Sequence, residues 1–263
     1  MAAKKSLGQH FLTSERVIEK IIEAAALTHE DTVLEVGPGR GILTKALLSK
    51  AGRIIAVEKD GSLIENLEKL FQKEMASKKF ILLHGDILDW KPKKYRLLAG
   101  SYKVVANIPY YITGIFLRQF LGAKEYPKSM TLLVQKEVAD RIVAKDKKES
   151  LYSIGVKAYG IPKYEGTVRA GNFSPPPKVD SAILSINNIS KSQFDTIDEE
   201  VFFTLVRAGF AHKRKQLAAN LRSAFGNAFS PEETLPLCNI PPKARAENIS
   251  LADWKCLVQQ MKI

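Results

Sequence analysis

The sequence predicts an α/β protein, a mainly parallel sheet covered by helices and followed by a small all-helical domain. Three observations predict it. Short runs rich in β-branched residues alternate with amphipathic stretches as far as about residue 144, the pattern of parallel strands joined by crossover helices. A glycine-rich turn, GPGRG (37 to 41), links the first such run to the helix after it. Past Asn188 only helical periodicity remains.

Taken in order, Val17, Ile18, Ile21, Ile22 and Ala25 recur at helical spacing between Ser14 and Leu27 and form one apolar stripe. "TVLEV" (32 to 36) reads as a strand and "GILTKALLSK" as the helix behind it. "RIIAV" (53 to 57) is the second strand; Leu63, Ile64, Leu67, Leu70 and Phe71 share a face of the helix that follows. "FILLH" (80 to 84), "YKVVA" (102 to 106) and "SMTLLVQ" (129 to 135) supply further strands, with helices in "GIFLRQFLG" and "KEVADRIVA". From Leu151 the rhythm predicts three antiparallel edge strands, "LYSIGVKAYG", "YEGTVRAGNF" and "DSAILSIN". "EEVFFTLVRAGF", "RKQLAANLRSAF", "PEETLPLC" and "LADWKCLVQQMK" complete the helical part. The expected division is 1–187 for the sheet domain and 188–263 for the helical one.

The 263 residues carry a net charge of +12, which points to a polyanionic partner because spread Lys and Arg displace the counterions of phosphates. Ten basic and eight acidic residues follow Asn188, a net of +2, so +10 falls on the sheet domain, although "HKRK" (212 to 215) concentrates charge locally. Cys238 and Cys256 lie too far apart for a CxxC pattern and are expected to be packing residues in a reducing compartment. No apolar run approaches the roughly 18 residues of a membrane span, and the basic N-terminus has no apolar core of a leader. A cytoplasmic monomer with no membrane association is expected.

The glycine turn suggests a ligand. Gly37 and Gly39 allow a tight turn after the first strand, and Gly41 allows close approach of the helix to a ligand. Ile42 stands where a dinucleotide fingerprint needs glycine or alanine, which weakens the nicotinamide and flavin readings. Glu58 closes the second strand, where a carboxylate can accept from both ribose hydroxyls, and Asp86 follows the third, within reach of an adenine amino group. An adenosine-bearing cofactor without a pyrophosphate fits this set, and S-adenosyl-L-methionine is such a cofactor.

The fourth strand ends in "NIPY" (107 to 110) on the same edge. The exocyclic nitrogen of adenine is a poor nucleophile, its lone pair being delocalised into the ring. The Asn107 side-chain oxygen and the Pro109 carbonyl can accept its two N–H bonds and draw it towards tetrahedral geometry. Proline fixes φ and so holds its carbonyl, and Tyr110 can stack on an extruded base. No nucleophilic cysteine of the cytosine C5 type lies nearby in sequence.

These strings, with "LGQHFL" (7 to 12), "VEKD" (57 to 60), "GDIL" (85 to 88), "QKEVADRI" (135 to 142), "NFSPPPKVDSAI" (172 to 183) and "AHKRKQLAANL" (211 to 221), resemble the rRNA adenine N6-dimethyltransferases over nearly the whole chain. The resemblance implies a class I, Rossmann-like SAM-dependent methyltransferase domain. It also implies dimethylation of two adjacent adenosines near the 3′ end of small-subunit rRNA during ribosome assembly, with immature small subunits as partner and a contribution to rRNA binding from the helical domain. It assigns Gln9, His10, Leu12, Gly37, Gly39, Glu58, Asp86, Ile87 and Asn107 to the cofactor, and Asn107, Pro109 and Tyr110 to the target base, with Phe173 as the opposite stacking face. Many members have asparagine at the position of His10 and leucine at that of Ile108. The enzyme that methylates large-subunit rRNA and confers macrolide resistance shares "NIPY", and a non-catalytic RNA-binding assembly factor is the other alternative.

Overall fold

The structure is a computed structural model that describes residues 9–226 and 229–261; the start of the basic N-terminal segment, including Leu7 and Gly8 of "LGQHFL", lies outside them. Seven strands form one sheet: β2 (Thr32–Val36), β3 (Arg53–Glu58), β4 (Phe80–His84), β5 (Tyr102–Asn107), β6 (Ser129–Gln135), β7 (Ile161–Val168) and β9 (Ser181–Asn187). Their order is β4-β3-β2-β5-β6-β9-β7. The first five are parallel, and β9 and β7 add antiparallel at the edge. The two-residue strands β1 (Phe11–Leu12) and β8 (Phe173–Ser174) pair with each other.

The helices before, between and after the parallel strands are α1 (Glu15–Ala25), α2 (Ile42–Leu48), α3 (Gly61–Leu70), α4 (Gln72–Ala76), α5 (Thr113–Leu121) and α6 (Lys136–Ile142). α1 buries Val17, Ile18, Ile21 and Ala25 as its periodicity predicts. The strands they cover are apolar on both faces, with Val33, Leu34, Ile54, Ile55 and Val105 at zero exposure. Each such side chain contributes about 1.5–3 kcal/mol. β5 also carries a buried cation. The Lys103 ammonium donates to the Ala26 carbonyl (2.7 Å) at the C-terminal end of α1 and pairs with Asp31 (3.0 Å), where the helix dipole favours positive charge.

Chain contacts divide the molecule into two units, residues 1–139 with 161–189, and 140–160 with 190–263. The second unit therefore takes in a segment that the sequence reading assigned to the sheet. "LYSIGVKAYG" is not a strand; it contains α7 (Leu151–Lys157), started by a reciprocal capping box between Ser150 and Ser153. Its apolar alternation imitates a strand, but the cap and the burial of Ile154 and Val156 are helical. Tyr159 donates to Glu199 (2.6 Å) at the start of α8 (Glu199–Gly209), and Lys148 pairs with Glu247 in the turn before α11 (Leu251–Gln260); α9 (Leu217–Phe225) and α10 (Pro231–Leu237) lie between. Cys238 and Cys256 form a disulfide, contrary to their expected role as separate packing residues. Their helices bring the two Cα atoms within 5.8 Å across 18 residues of sequence, a closeness that sequence spacing does not reveal. Among the described residues no helix is long and apolar enough to cross a membrane.

Candidate active site

β2 lies between β3 and β5, so the strand order reverses beside it. In-register pairing sets Val36 against both Val57 and Ala106, and Glu58 against His84. The C-terminal ends of four strands thus open on one crevice, the usual ligand edge of such sheets. A cleft of about 980 Å³, counted out to the solvent at its mouth, occupies it. Gln9, His10, Gly37, Gly39, Glu58, Asp86, Ile87, Asn107, Pro109 and Tyr110 all line the cleft.

Gly39 has φ +59°, and its N–H donates to Glu58 Oε2 at 3.0 Å. The other oxygen, Oε1, accepts from the Asp60 N–H at 2.8 Å. Burial pushes the Glu58 carboxyl up from its ordinary value, against the pull of these two N–H groups. Each oxygen keeps a lone pair, so the carboxylate can still accept from a diol. Asp60 also caps α3 and accepts from Gln9 Nε2 at 2.8 Å, which ties Gln9 to the start of α3.

Asp86 pairs with Lys59 (2.6 Å) and accepts from the Leu88 N–H (3.0 Å). Burial alone would raise its pKa; the Lys59 ammonium outweighs this and holds it below the usual carboxylate range. Beside it a side chain on Gly85 would meet nothing within 4 Å, while Ile87 is an almost buried apolar wall. An anionic acceptor next to an apolar wall and open room fits an adenine ring, and the Glu58 oxygens fit its ribose.

At the end of β5 the Asn107 Nδ2 donates to the His10 carbonyl at 3.0 Å, which leaves Oδ1 as the acceptor of that amide. The Pro109 carbonyl accepts from the Ile112 N–H (3.1 Å) and retains its second lone pair. The Tyr110 hydroxyl is bonded to the buried Ser181 Oγ (2.7 Å). Burial raises the Tyr110 pKa, the Ser181 bond opposes this and the Asp180 carboxylate adds to it.

Two expected residues, Leu12 and Phe173, are placed elsewhere. Leu12 is buried in β1 within the apolar core and does not line the cleft. Phe173, opposite Leu12 in the β1–β8 pair, is 4% exposed in the same core and so presents no face to a base. At Gly41 a Cβ would approach the Phe71 ring to 2.7 Å and φ is +78°, so packing by itself calls for glycine there. The reading of the sequence passed over Lys59, Ser181 and Glu35. Lys59 stands in "VEKD" beside Glu58 and was legible there. Ser181 stands in "NFSPPPKVDSAI", but nothing in that string points it at Tyr110. Glu35 is fully buried just before the glycine turn; neither carboxylate oxygen has a hydrogen-bonding partner among the described residues, and burial pushes its pKa up to about 8. The Thr44 hydroxyl lowers it only partly, the Glu58 charge adds to it, and Thr44 itself is not in bonding geometry.

The family model for ribosomal RNA adenine dimethylase matches residues 1–262. The chain belongs to this family. Among relatives of the dimethylase, a ribosomal RNA small subunit methyltransferase A of Dehalococcoides mccartyi is 45% identical over 260 residues, covering 98% of this chain and 88% of the relative. The protein of that name from Clostridium botulinum is 36% identical over 252 residues, covering 95% and 90%. A dimethyladenosine transferase of Plasmodium falciparum superposes with a TM-score of 0.80 at 25% identity over 95% of this chain and 97% of its own. A 23S rRNA methyltransferase shares the fold, with a TM-score of 0.76 at 22% identity over 96% and 100%. The dimethylase sheet domain is therefore the class I methyltransferase fold, and its cofactor is S-adenosyl-L-methionine.

Proposed function

We propose that the chain transfers two methyl groups to N6 of each of two adjacent adenosines near the 3′ end of small-subunit rRNA, acting in the cytoplasm, as a monomer, on immature small subunits. The observation that carries the chemistry is the Asn107 amide, whose Nδ2 is occupied by the His10 carbonyl so that Oδ1 is the acceptor left at the cleft. S-adenosylmethionine, when bound, supplies an electrophilic methyl group on a sulfonium. Glu58 and Asp86 hold its adenosine end, and Gly37 and Gly39 let the backbone approach it.

Asn107 Oδ1 and the Pro109 carbonyl each accept one N–H of the adenine amino group, which turns its lone pair out of the ring plane. Tyr110, tethered through Ser181, holds the ring by stacking. The proton leaves to water after transfer, so no strong base is needed, and the acceleration comes from positioning and fixed dipoles. The relatives at 36–46% identity carry small-subunit names, which supports small-subunit over large-subunit rRNA. The second unit and the basic surface contribute rRNA binding.

Mapping methylated nucleotides in rRNA from cells with and without the gene tests the reading. Loss of two adjacent dimethyladenosines in small-subunit rRNA is expected. Loss confined to large-subunit rRNA, or an unchanged pattern, refutes it.

A further inference from the structure

The connection from β4 to β5 holds no α-helix, although a parallel crossover usually carries one. In its place stands a short 3₁₀ helix, Pro92–Tyr95. Three residues make a turn there, so Pro92 and Tyr95 share one side, Lys91 and Lys94 the next, and Lys93 and Arg96 the third. The first side is partly buried and the four cations are exposed. The Tyr95 ring stacks on Trp90 (5.5 Å between centroids, 11° between planes), and Trp90 stacks in turn on Phe120 of α5 (6.4 Å, 17°). Trp90 and Leu97, which bracket the turn, are both buried.

Aromatic packing thus holds four like charges within six residues. Among the described residues no ion pair engages any of them. Such a cluster repels itself until a polyanion covers it. It also lies near the mouth of the cleft. Leu88 lines the cleft and precedes Lys91 by three residues, a span of at most about 11 Å. Gln119 of α5 donates to the Leu88 carbonyl at 3.1 Å, so the helix that carries Phe120 anchors the cleft wall and the basic turn together.

We propose that the 91–96 turn is a contact surface for the rRNA backbone, on which Lys91, Lys93, Lys94 and Arg96 engage phosphates flanking the target adenosines. The proposal rests on the rRNA reading above and gives part of the basic surface invoked there to a named element. Three of the four cations are ammonium groups on flexible stems, which meet phosphates as point charges. The contact therefore positions the RNA at the cleft and reads no base.

The test compares wild type with the triple variant Lys91→Gln, Lys93→Gln, Lys94→Gln and with the matching triple to arginine. A control triple, Lys50→Gln, Lys73→Gln, Lys78→Gln, removes the same charge from exposed residues that precede the opposite ends of β3 and β4. Affinity for immature small subunits is measured by filter binding across a salt series, with single-turnover methyl transfer at saturating subunits, cofactor calorimetry and thermal unfolding in parallel. Loss of three phosphate contacts should make the slope of log affinity against log salt shallower by about 2–3 units, and affinity near 0.1 M salt should fall about tenfold or more. The arginine triple should match wild type, and the control triple should shift the slope by less than about one unit. Transfer at saturation and cofactor affinity should stay within about twofold, and the unfolding midpoint should not move.

An unaltered slope in the 91–94 glutamine variant overturns the proposal. Equal changes in the two glutamine triples also overturn it, because net charge alone would then account for binding. So does a loss of transfer that persists at saturating subunits. Wild type that transfers no methyl group to small-subunit rRNA sinks the underlying reading and this proposal with it. Active wild type with an unaltered 91–94 variant sinks this proposal alone.

Discussion

The Asn107 amide donates to the His10 carbonyl across 97 residues of sequence, at 3.0 Å. This bond decides which end of the amide faces the cleft. Replacing Asn107 by alanine removes an acceptor needed only as the amino group becomes nucleophilic. A loss of 10²–10³-fold or more in methyl transfer is expected, by analogy with deletion of one preorganised polar group elsewhere. Affinity for RNA, measured by filter binding, should hardly change. Undiminished transfer would refute the mechanism.

Tyr110 separates stacking from tethering. Tyr110→Phe keeps the ring and loses only the bond to Ser181, so transfer should slow by no more than about tenfold, a net bond being worth about 1 kcal/mol. Tyr110→Ala also loses the stack, about 1–3 kcal/mol more. Single-turnover rates that fall equally in both variants would show that the ring does not carry the base.

Glu35 makes the apoprotein less stable as pH rises. Its folded-state pKa is about 8, against an ordinary 4.5, so between these values the folded state holds a proton that the unfolded state releases. Stability should fall across that window, by an amount on the order of 3–5 kcal/mol, and level off above it. In Glu35→Gln this decline should shrink to the part contributed by Glu58, whose pKa burial also raises. Urea unfolding at pH 5, 7 and 9 measures it, and parallel pH profiles for the two proteins would exclude the effect.

Lys103 and Asp31 give the opposite sign. Burial raises the Asp31 pKa, but the Lys103 ammonium and the Thr28 donors outweigh it and hold the group below its ordinary value of 3.8. The pair's contribution is therefore present above that value and lost as pH falls through the lower folded-state pKa. Lys103→Met should cost about 2–3 kcal/mol at pH 7, less than a fully buried pair because both groups keep some exposure. The difference from wild type should narrow below about pH 4. A deficit that does not depend on pH would assign the effect to packing alone.

Salt should separate the two ligands. With +12 on the chain, affinity for rRNA should fall steeply with salt as released counterions lose their entropic advantage. Cofactor affinity, held by short contacts in the cleft, should scarcely respond. Titrations of each ligand across a salt series check this, and equal slopes would argue against the division.

Glu58, Asp86 and Asn107 were legible in the sequence because each ends or follows a strand of a parallel sheet, and all such ends share one edge. The fates of Leu12 and Phe173 were not, since both follow from the antiparallel pairing of two short strands far apart in the chain. The segment 151–157 imitates a strand because its apolar residues alternate, while the Ser150–Ser153 cap that starts the helix depends on side-chain geometry.

The sheet class, the ligand edge and the chemical character of that edge follow from the sequence alone: glycines for close approach, two acids and an amide at strand ends. Those are local properties, written in periodicity and in residues adjacent to strand ends. That Phe173 is core, that Glu35 is buried without a hydrogen-bonding partner among the described residues, that the cysteines are joined and that His10 faces Tyr110 came from the tertiary structure alone. Each of these depends on long-range packing, which brings Pro175 to His10 across 165 residues and Ser181 to Tyr110 across 71.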